Sequence, residues 1–111
     1  MNRIPISPAA SALLRLLIGR ARVQRDRILL TGVISDDWRS LTLNGEPHRI
    51  DLRVPGPNSG EIVERMCDGL DEAEFCIPGI IVADISVRGD ALLGFDGSTS
   101  LVIEALTISE D

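Results

Sequence analysis

The chain has 111 residues, of which 44% are hydrophobic and 25% charged, a composition typical of one globular domain rather than a disordered segment. Its formal net charge of −6 argues against binding of nucleic acid or an anionic membrane by the whole surface. Three aromatic residues are too few for a base-stacking platform, and two cysteines with one histidine match no zinc pattern. We therefore expect a single domain over residues 1–111, without metal, cofactor, nucleic-acid or membrane partner.

The charge is divided unevenly along the chain. Residues 1–53 carry nine arginines against five acids, whereas residues 54–111 carry two arginines against twelve acids. The densest basic stretch consists of Arg20, Arg22, Arg25 and Arg27. It is a candidate local patch for an anion, a nucleic acid or an acidic protein partner. The competing explanations are the dipole of a preceding helix, which favours cations at its C-terminus, and pairing with acids within or between subunits.

A first helix begins at Ser7, since its hydroxyl can cap the helix and Pro8 suits the first helical position. The apolar pattern continues to about Ala21. Its apolar run, Leu13–Ile18, is much shorter than the ~20 residues that a membrane span needs. A signal peptide opening at Arg3 is the weaker alternative, because no convincing small-residue cleavage site follows. We expect a cytoplasmic protein in which Cys67 and Cys76 are reduced.

Residues 27–54 are predicted to form a three-strand meander with two-residue turns at Asp36–Asp37 and Asn44–Gly45. Both turns select the same apolar core face, because directly paired residues share a face of the sheet. This core face contains Ile28, Leu30, Ile34, Leu41, Leu43, Ile50, Leu52 and Val54. The same register places Trp38 beside Asp51 on the opposite face, together with Arg49 and Arg53.

A second helix is predicted from a capping box formed by Asn58 and Glu61 to about Leu70. A long hairpin centred on Asp96–Gly97 follows. Its core face contains Ile81, Ala83, Ile85, Val87, Val102, Leu106 and Ile108, and its half-polar opposite face contains Val82, Asp84, Ser86, Arg88, Leu101, Ile103 and Ala105.

The predicted element order is α-β-β-β-α-β-β. This order indicates an α+β fold with about five largely antiparallel strands in one sheet and two helices on one face.

The candidate chemistry of the chain is sparse. His48 is the only histidine, and no partner for a general base is evident in the sequence. Asp84 and Glu104 are the acids most clearly within strands, but the hairpin register separates them onto opposite faces. Glu104 is then expected on the core side, opposite Gly89. We predict no catalytic residue.

The strongest hypothesis is an interaction surface on the second sheet face, formed by Trp38, Arg49, Arg53, Leu101 and Ile103. An exposed tryptophan near arginines is favoured at protein interfaces. The sequence therefore favours a binding or assembly protein that forms a homodimer through this face, although the first helix or the N-terminus could cover it instead. The rival hypothesis is a small-molecule-binding protein or minor enzyme with a cleft near His48.

Overall fold

The first helix starts and ends as its sequence predicts. The structure is a computed structural model that describes residues 6–35, 38–39 and 44–109, without the side chains of Trp38, Arg39 and Asn44. Helix α1 spans Pro8–Ala21, and the Ser7 hydroxyl accepts a hydrogen bond of 3.2 Å from the Ala10 N–H. Within the described ranges, no helix is both long and apolar enough to cross a membrane.

One antiparallel sheet forms the second layer of the fold. Its central strands are β3 (Asn44–Val54) and β6 (Thr99–Ser109), flanked by β1 (Leu29–Ser35) and β4 (Ile80–Val87) in the order β1-β3-β6-β4. Two short segments, β2 (Trp38–Arg39) and β5 (Leu92–Leu93), pair with β3 and β6 respectively. Helix α2 (Ser59–Cys67) connects β3 to β4. The predicted α+β class is confirmed.

Both helices pack on one face of the sheet. Leu13 and Leu17 of α1 and Met66 of α2 are fully buried against Ile50 and Ile103 of the central strands. Residues that alternate with these along the strands lie on the other face, which we call the open face. Burial of side chains of this size stabilises a fold by roughly 1.5–3 kcal/mol each, so the core fixes which face each strand residue occupies.

The strand pairing of the predicted three-strand meander is wrong where the structure describes it; the predicted turn at Asp36–Asp37 and the core residues Leu41 and Leu43 lie outside the described residues. Asn44 and Gly45 do not turn the chain but lie inside β3, opposite Ser109 and Ile108 of β6. Strand β1 pairs directly with β3, so that Gly32 faces Asp51 rather than Leu41. Ile34, expected in the core, pairs with Arg49 and is 58% exposed, because a register shift between Leu30 and Gly32 moves it to the open face.

The second hairpin turns at the predicted place with a different loop length. Leu93 pairs with Thr99, and Gly94 is hydrogen-bonded to Ser98, so the three residues 95–97 remain in the loop, where Gly97 takes a φ of 83°. The Gly94 N–H closes the loop with a 2.7 Å bond to the Ser98 carbonyl. Because side chains alternate along a strand, the one-residue difference exchanges the two faces of β6. Its core residues are therefore Leu101, Ile103 and Ala105.

Further shifts displace β4 from its predicted register. Glu104 pairs with Ser86 rather than Gly89, and another irregularity lies between Val82 and Asp84. Ile85 is buried as predicted, whereas Ile81, also expected in the core, is 51% exposed.

The predicted capping box of α2 does not form. Asn58 has a φ of 65° and its side chain makes no capping hydrogen bond. The next residue, Ser59, instead uses its hydroxyl to bond the Gly97 carbonyl at 2.7 Å. The helix ends at Cys67, earlier than predicted, and a separate 3₁₀ turn covers Leu70–Glu72.

Candidate functional site

His48 lies in a buried hydrogen-bond network rather than in a cleft. Three side chains surround its ring, one each from β1, β3 and β6. The Ser35 hydroxyl is 2.8 Å from Nδ1, and the Thr107 hydroxyl is 2.8 Å from Nε2. A Glu46 carboxylate oxygen lies 3.6 Å from Nδ1. Burial lowers the pKa of His48, and the Glu46 charge opposes that shift. With both nitrogens engaged and the residue 3% exposed, the geometry favours a structural histidine.

Asp84 and Glu104 share one face, contrary to the prediction that they lie on opposite faces. Both occupy the open face, since Asp84 pairs with Leu106 and Glu104 with Ser86. Glu104 is exposed and forms an ion pair with Arg88 at 3.4 Å. The predicted core position of Glu104 is therefore wrong, and its charge is balanced at the surface.

Only part of the predicted interaction surface lies on the open face. Arg49 and Arg53 are there, whereas Leu101 and Ile103 are 3% and 0% exposed between the sheet and the helices. Their predicted place in an interface is wrong because the hairpin loop has three residues. Trp38 pairs with Gly45 rather than lying beside Asp51, and its side chain is outside the described residues.

Two residues from the basic stretch are engaged by backbone carbonyls. Arg27 donates a 2.7 Å bond to the Pro57 carbonyl. Arg20 donates through Nε to the Met66 carbonyl at 2.9 Å and through Nη2 to the Asp68 carbonyl, at the end of α2. Arg22 and Arg25 are exposed. The four arginines therefore do not act as one uniform patch.

Arg65 of α2 makes the equivalent contact with the end of the first helix. Its Nε donates a 3.0 Å hydrogen bond to the Ala21 carbonyl at the end of α1. The C-terminal ends of α1 and α2 thus lie side by side, and an arginine of each helix caps the other. This arrangement satisfies carbonyls that a helix end otherwise leaves without partners.

The open face contains a cleft of about 530 Å³ beside the β5–β6 hairpin. Most of its surface is apolar. Arg49 and Asp51, from β3, lie on one side with an Nε–Oδ1 distance of 3.3 Å, and Arg88 and Asp90 lie on the other. Leu92 and Val102 supply apolar side chains to the cleft. The cleft therefore combines an apolar surface with two guanidinium groups.

Three large apolar side chains project from the neighbouring hairpin. Leu92 and Leu93 are 70% and 75% exposed, and Phe95 at the turn is completely exposed. We call these three residues the hairpin tip. A cluster of this kind is unusual on a soluble surface and is typical of interaction sites. Sequence analysis missed it, although three large apolar residues among the four that precede Asp96–Gly97 were a visible signal.

Hydrogen bonds hold the loop that carries Phe95. The Asp96 carboxylate accepts bonds from the Ser98 N–H at 3.0 Å and the Ser98 hydroxyl at 2.6 Å, and it also contacts the Arg53 guanidinium. These bonds lower the pKa of Asp96 to about 2, with Ser98 the largest cause. On the opposite side, Ser59 binds the Gly97 carbonyl. The loop thus presents Phe95 on a fixed backbone.

A scan against models of protein families finds no match, and no curated protein is significantly similar in sequence. Within the described part of the chain, no three histidine, cysteine, aspartate or glutamate side chains converge as a metal site requires. The geometry of the surface is therefore the basis for inferring what this protein binds.

Proposed function

We propose that this chain is a binding protein whose partner is a second copy of itself. The homodimer forms through the open face of the sheet together with the hairpin tip. The observation that carries the proposal is the complete exposure of Phe95 on a loop whose backbone is fixed by hydrogen bonds. Burial of such a preordered aromatic residue adds binding free energy with little loss of loop entropy.

A second copy suits this surface because the hairpin tip and the cleft share a residue. Leu92 belongs to the hairpin tip and also lines the cleft. In a two-fold symmetric dimer each copy offers the same patch, so the tip of each copy can enter the cleft of the other. The cleft volume of about 530 Å³ easily accommodates a phenyl ring.

The charges do not oppose the same partner. The cleft lining has two arginines and two aspartates, namely Arg49, Arg88, Asp51 and Asp90, so these charges balance and do not repel a second copy. A phenyl ring placed near a guanidinium is also attracted to it. An anionic bilayer is disfavoured as an alternative, because Asp90 and Asp96 flank the apolar side chains and the net charge is −6.

We include a cytoplasmic location in this proposal. Cys67 and Cys76 are both free thiols, as is usual in a reducing compartment. The rival cleft near His48 gains no support, since the His48 side chain is buried and both of its ring nitrogens have hydroxyl partners.

Sedimentation velocity over a wide concentration range tests the proposal. The native chain should dimerise, and Phe95→Ser should weaken the dimer by roughly 1,000-fold, because a hot-spot residue worth ~2 kcal/mol is lost from both copies of a two-fold symmetric dimer. The substitution removes no core contact, so the thermal unfolding midpoint should stay unchanged when it is measured at concentrations low enough for both chains to be monomeric.

Ile6→Ser is the matched control, because Ile6 is an exposed apolar residue that immediately precedes α1 in the helix layer. This variant should dimerise like the native chain. A native chain that remains monomeric at every concentration contradicts the proposal, as does a dimer that is unaffected by Phe95→Ser.

A further inference from the structure

A second feature, independent of self-association, lies in the helix layer. The C-terminal ends of α1 and α2 enclose an open groove of about 590 Å³. Its lining includes Arg15, Gly19, Arg20, Arg22, Arg65 and Asp68. Four guanidinium groups therefore meet one carboxylate on a protein whose net charge is −6. The half-charges of the two helix C-termini reduce this positive charge but do not cancel it.

The α1 side of the groove includes Arg15, Gly19 and Arg22. Arg15 and Gly19 are four residues apart and lie on the same face of the helix, and Arg22 follows as its C-cap residue with a left-handed backbone. A Cβ atom at Gly19 would meet nothing within 4 Å, and its helical backbone is open to any residue. Glycine inside a helix costs about 1 kcal/mol relative to alanine. Neither packing nor backbone geometry requires glycine here, and its missing side chain leaves space between the two arginines.

Two of the four arginines are already oriented. Arg20 and Arg65 are held by the carbonyls at the helix ends, and neither uses all five of its N–H donors there. Arg15 and Arg22 form no ion pair with any residue that the structure describes. The groove thus combines two fixed guanidinium groups with two that are available to close on an anion.

We propose that this groove binds a phosphate group carried by a small molecule. Guanidinium forks match phosphate oxygens through paired hydrogen bonds, and several forks on one group are a common way to bind it. The volume lies within the ordinary range for small-ligand sites. Asp68 offers a carboxylate that can accept a hydrogen bond from a hydroxyl group of the same ligand.

The residues in and around the groove disfavour extended acidic chains and ligands with a nucleobase. Glu61 and Glu64 line an adjoining shallow pocket that shares Arg65 and Asp68, so an extended acidic chain would meet like charges as it left the groove. The described lining includes no aromatic side chain on which a nucleobase could stack. A phosphorylated polyol or sugar fits these constraints better than a nucleic acid, a nucleotide or an acidic peptide.

Titration of the intact chain with glycerol 3-phosphate, followed by NMR at constant ionic strength, tests the proposal. The expected result is a saturable shift of the Gly19 and Arg20 amide signals and of the arginine Nε–H signals. Inorganic phosphate should shift the same signals more weakly, and glycerol should shift none. Arg15→Gln and Arg22→Asn should each weaken binding about tenfold, since each removes a charge-assisted contact. Asparagine is chosen because Arg22 has a φ of 59°.

Gly19→Leu separates binding from folding. It should abolish binding by filling the groove while leaving thermal stability unchanged or higher. The matched controls are Gly60→Leu, another helical glycine with open space around it, and Arg25→Gln, an exposed arginine outside the groove lining. Both should bind like the native chain. Shifts that never saturate, or that these controls remove equally, overturn the proposal. Tighter binding of a glutamate-rich peptide to the same residues would overturn the ligand class.

Discussion

The role that the structure indicates for His48 differs from the one that the sequence suggested. As an isolated histidine it suggested a general base, but its ring is enclosed by Ser35 and Thr107. A neutral imidazole donates one hydrogen bond and accepts another, which both hydroxyl groups can satisfy. A buried ring with two such partners contributes to the specificity of the sheet, because no other register brings the same three side chains together.

This environment predicts a pH-dependent stability. The folded-state pKa of His48 is lowered by burial, below the ordinary value of 6.5, so the unfolded chain binds its proton more readily. The free energy of unfolding should therefore be highest above that value. It should fall as the pH drops through 6.5 towards the folded-state pKa. Urea unfolding measured at a series of pH values checks the slope.

The variant His48→Gln provides the comparison for that slope. Glutamine keeps hydrogen-bonding capacity but does not titrate, so its stability curve should be flatter over the same interval. The acid region below it still contains the titration of Asp96, whose pKa is lowered to about 2. Parallel curves for the two proteins between about pH 5.5 and 7.5 would show that another group is responsible.

At the scale of elements, the β5–β6 hairpin is joined to α2 by one buried hydroxyl. Ser59 bonds the Gly97 carbonyl at 2.7 Å and lies 2.8 Å from the Thr99 hydroxyl. Ser59→Ala should reduce the free energy of unfolding by about 1–2 kcal/mol, because Gly97 and Thr99 lose a partner. It should also speed hydrogen exchange at the Gly94 and Ser98 amides.

Ser100→Ala controls for the loss of a serine hydroxyl, since Ser100 is exposed on the open face of β6, next to Thr99. It should leave both stability and hydrogen exchange close to native values. Equal effects in the two variants would mean that the bond from α2 does not hold the hairpin.

The elements themselves were largely predictable from local signals. Ser7 and Pro8 mark the start of α1 because a cap and a helical proline need only their nearest neighbours. Strand pairing depends on more distant residues. Asn44–Gly45 has the chemistry of a turn, yet β6 pairs with this segment and keeps it extended. Its competing partner is more than fifty residues away, beyond the reach of a local pattern.

Loop length caused the largest error in the predicted site. Asp96–Gly97 was identified as a two-residue turn, whereas Phe95 joins the loop and Gly97 alone takes the left-handed conformation. The Asp96 side chain, which bonds the Ser98 N–H, stabilises this longer form. A difference of one residue then buried Leu101 and Ile103. Arg49 and Arg53 kept their predicted face because β3 alternates regularly through this region.

At the scale of the whole molecule, the two proposed sites lie in different layers. The hairpin tip and the cleft belong to the sheet, and the arginine groove lies between the helices. The core of Ile50, Leu52 and Ile103 separates them, and these residues are fully or almost fully buried. Such tight packing has a single arrangement unless a ligand favours a second one.

We therefore expect phosphate binding and dimerisation to be independent. Saturating glycerol 3-phosphate should leave the dimer dissociation constant unchanged in sedimentation velocity, and Phe95→Ser should leave phosphate affinity unchanged in the NMR titration. By linkage, any coupling must appear equally in both measurements. A reciprocal change in the two affinities would show that the sheet and helix layers move together.

The reciprocal arginine caps make the two halves of the chain depend on each other. Arg65 completes α1 and Arg20 completes α2, although β1, β2 and β3 lie between the two helices in the sequence. A fragment that ends before α2 would leave the Ala21 carbonyl without this donor. The helix-plus-strands pattern occurs twice along the sequence, and we therefore expect the two halves to unfold as one cooperative unit, with neither half stable as an excised fragment.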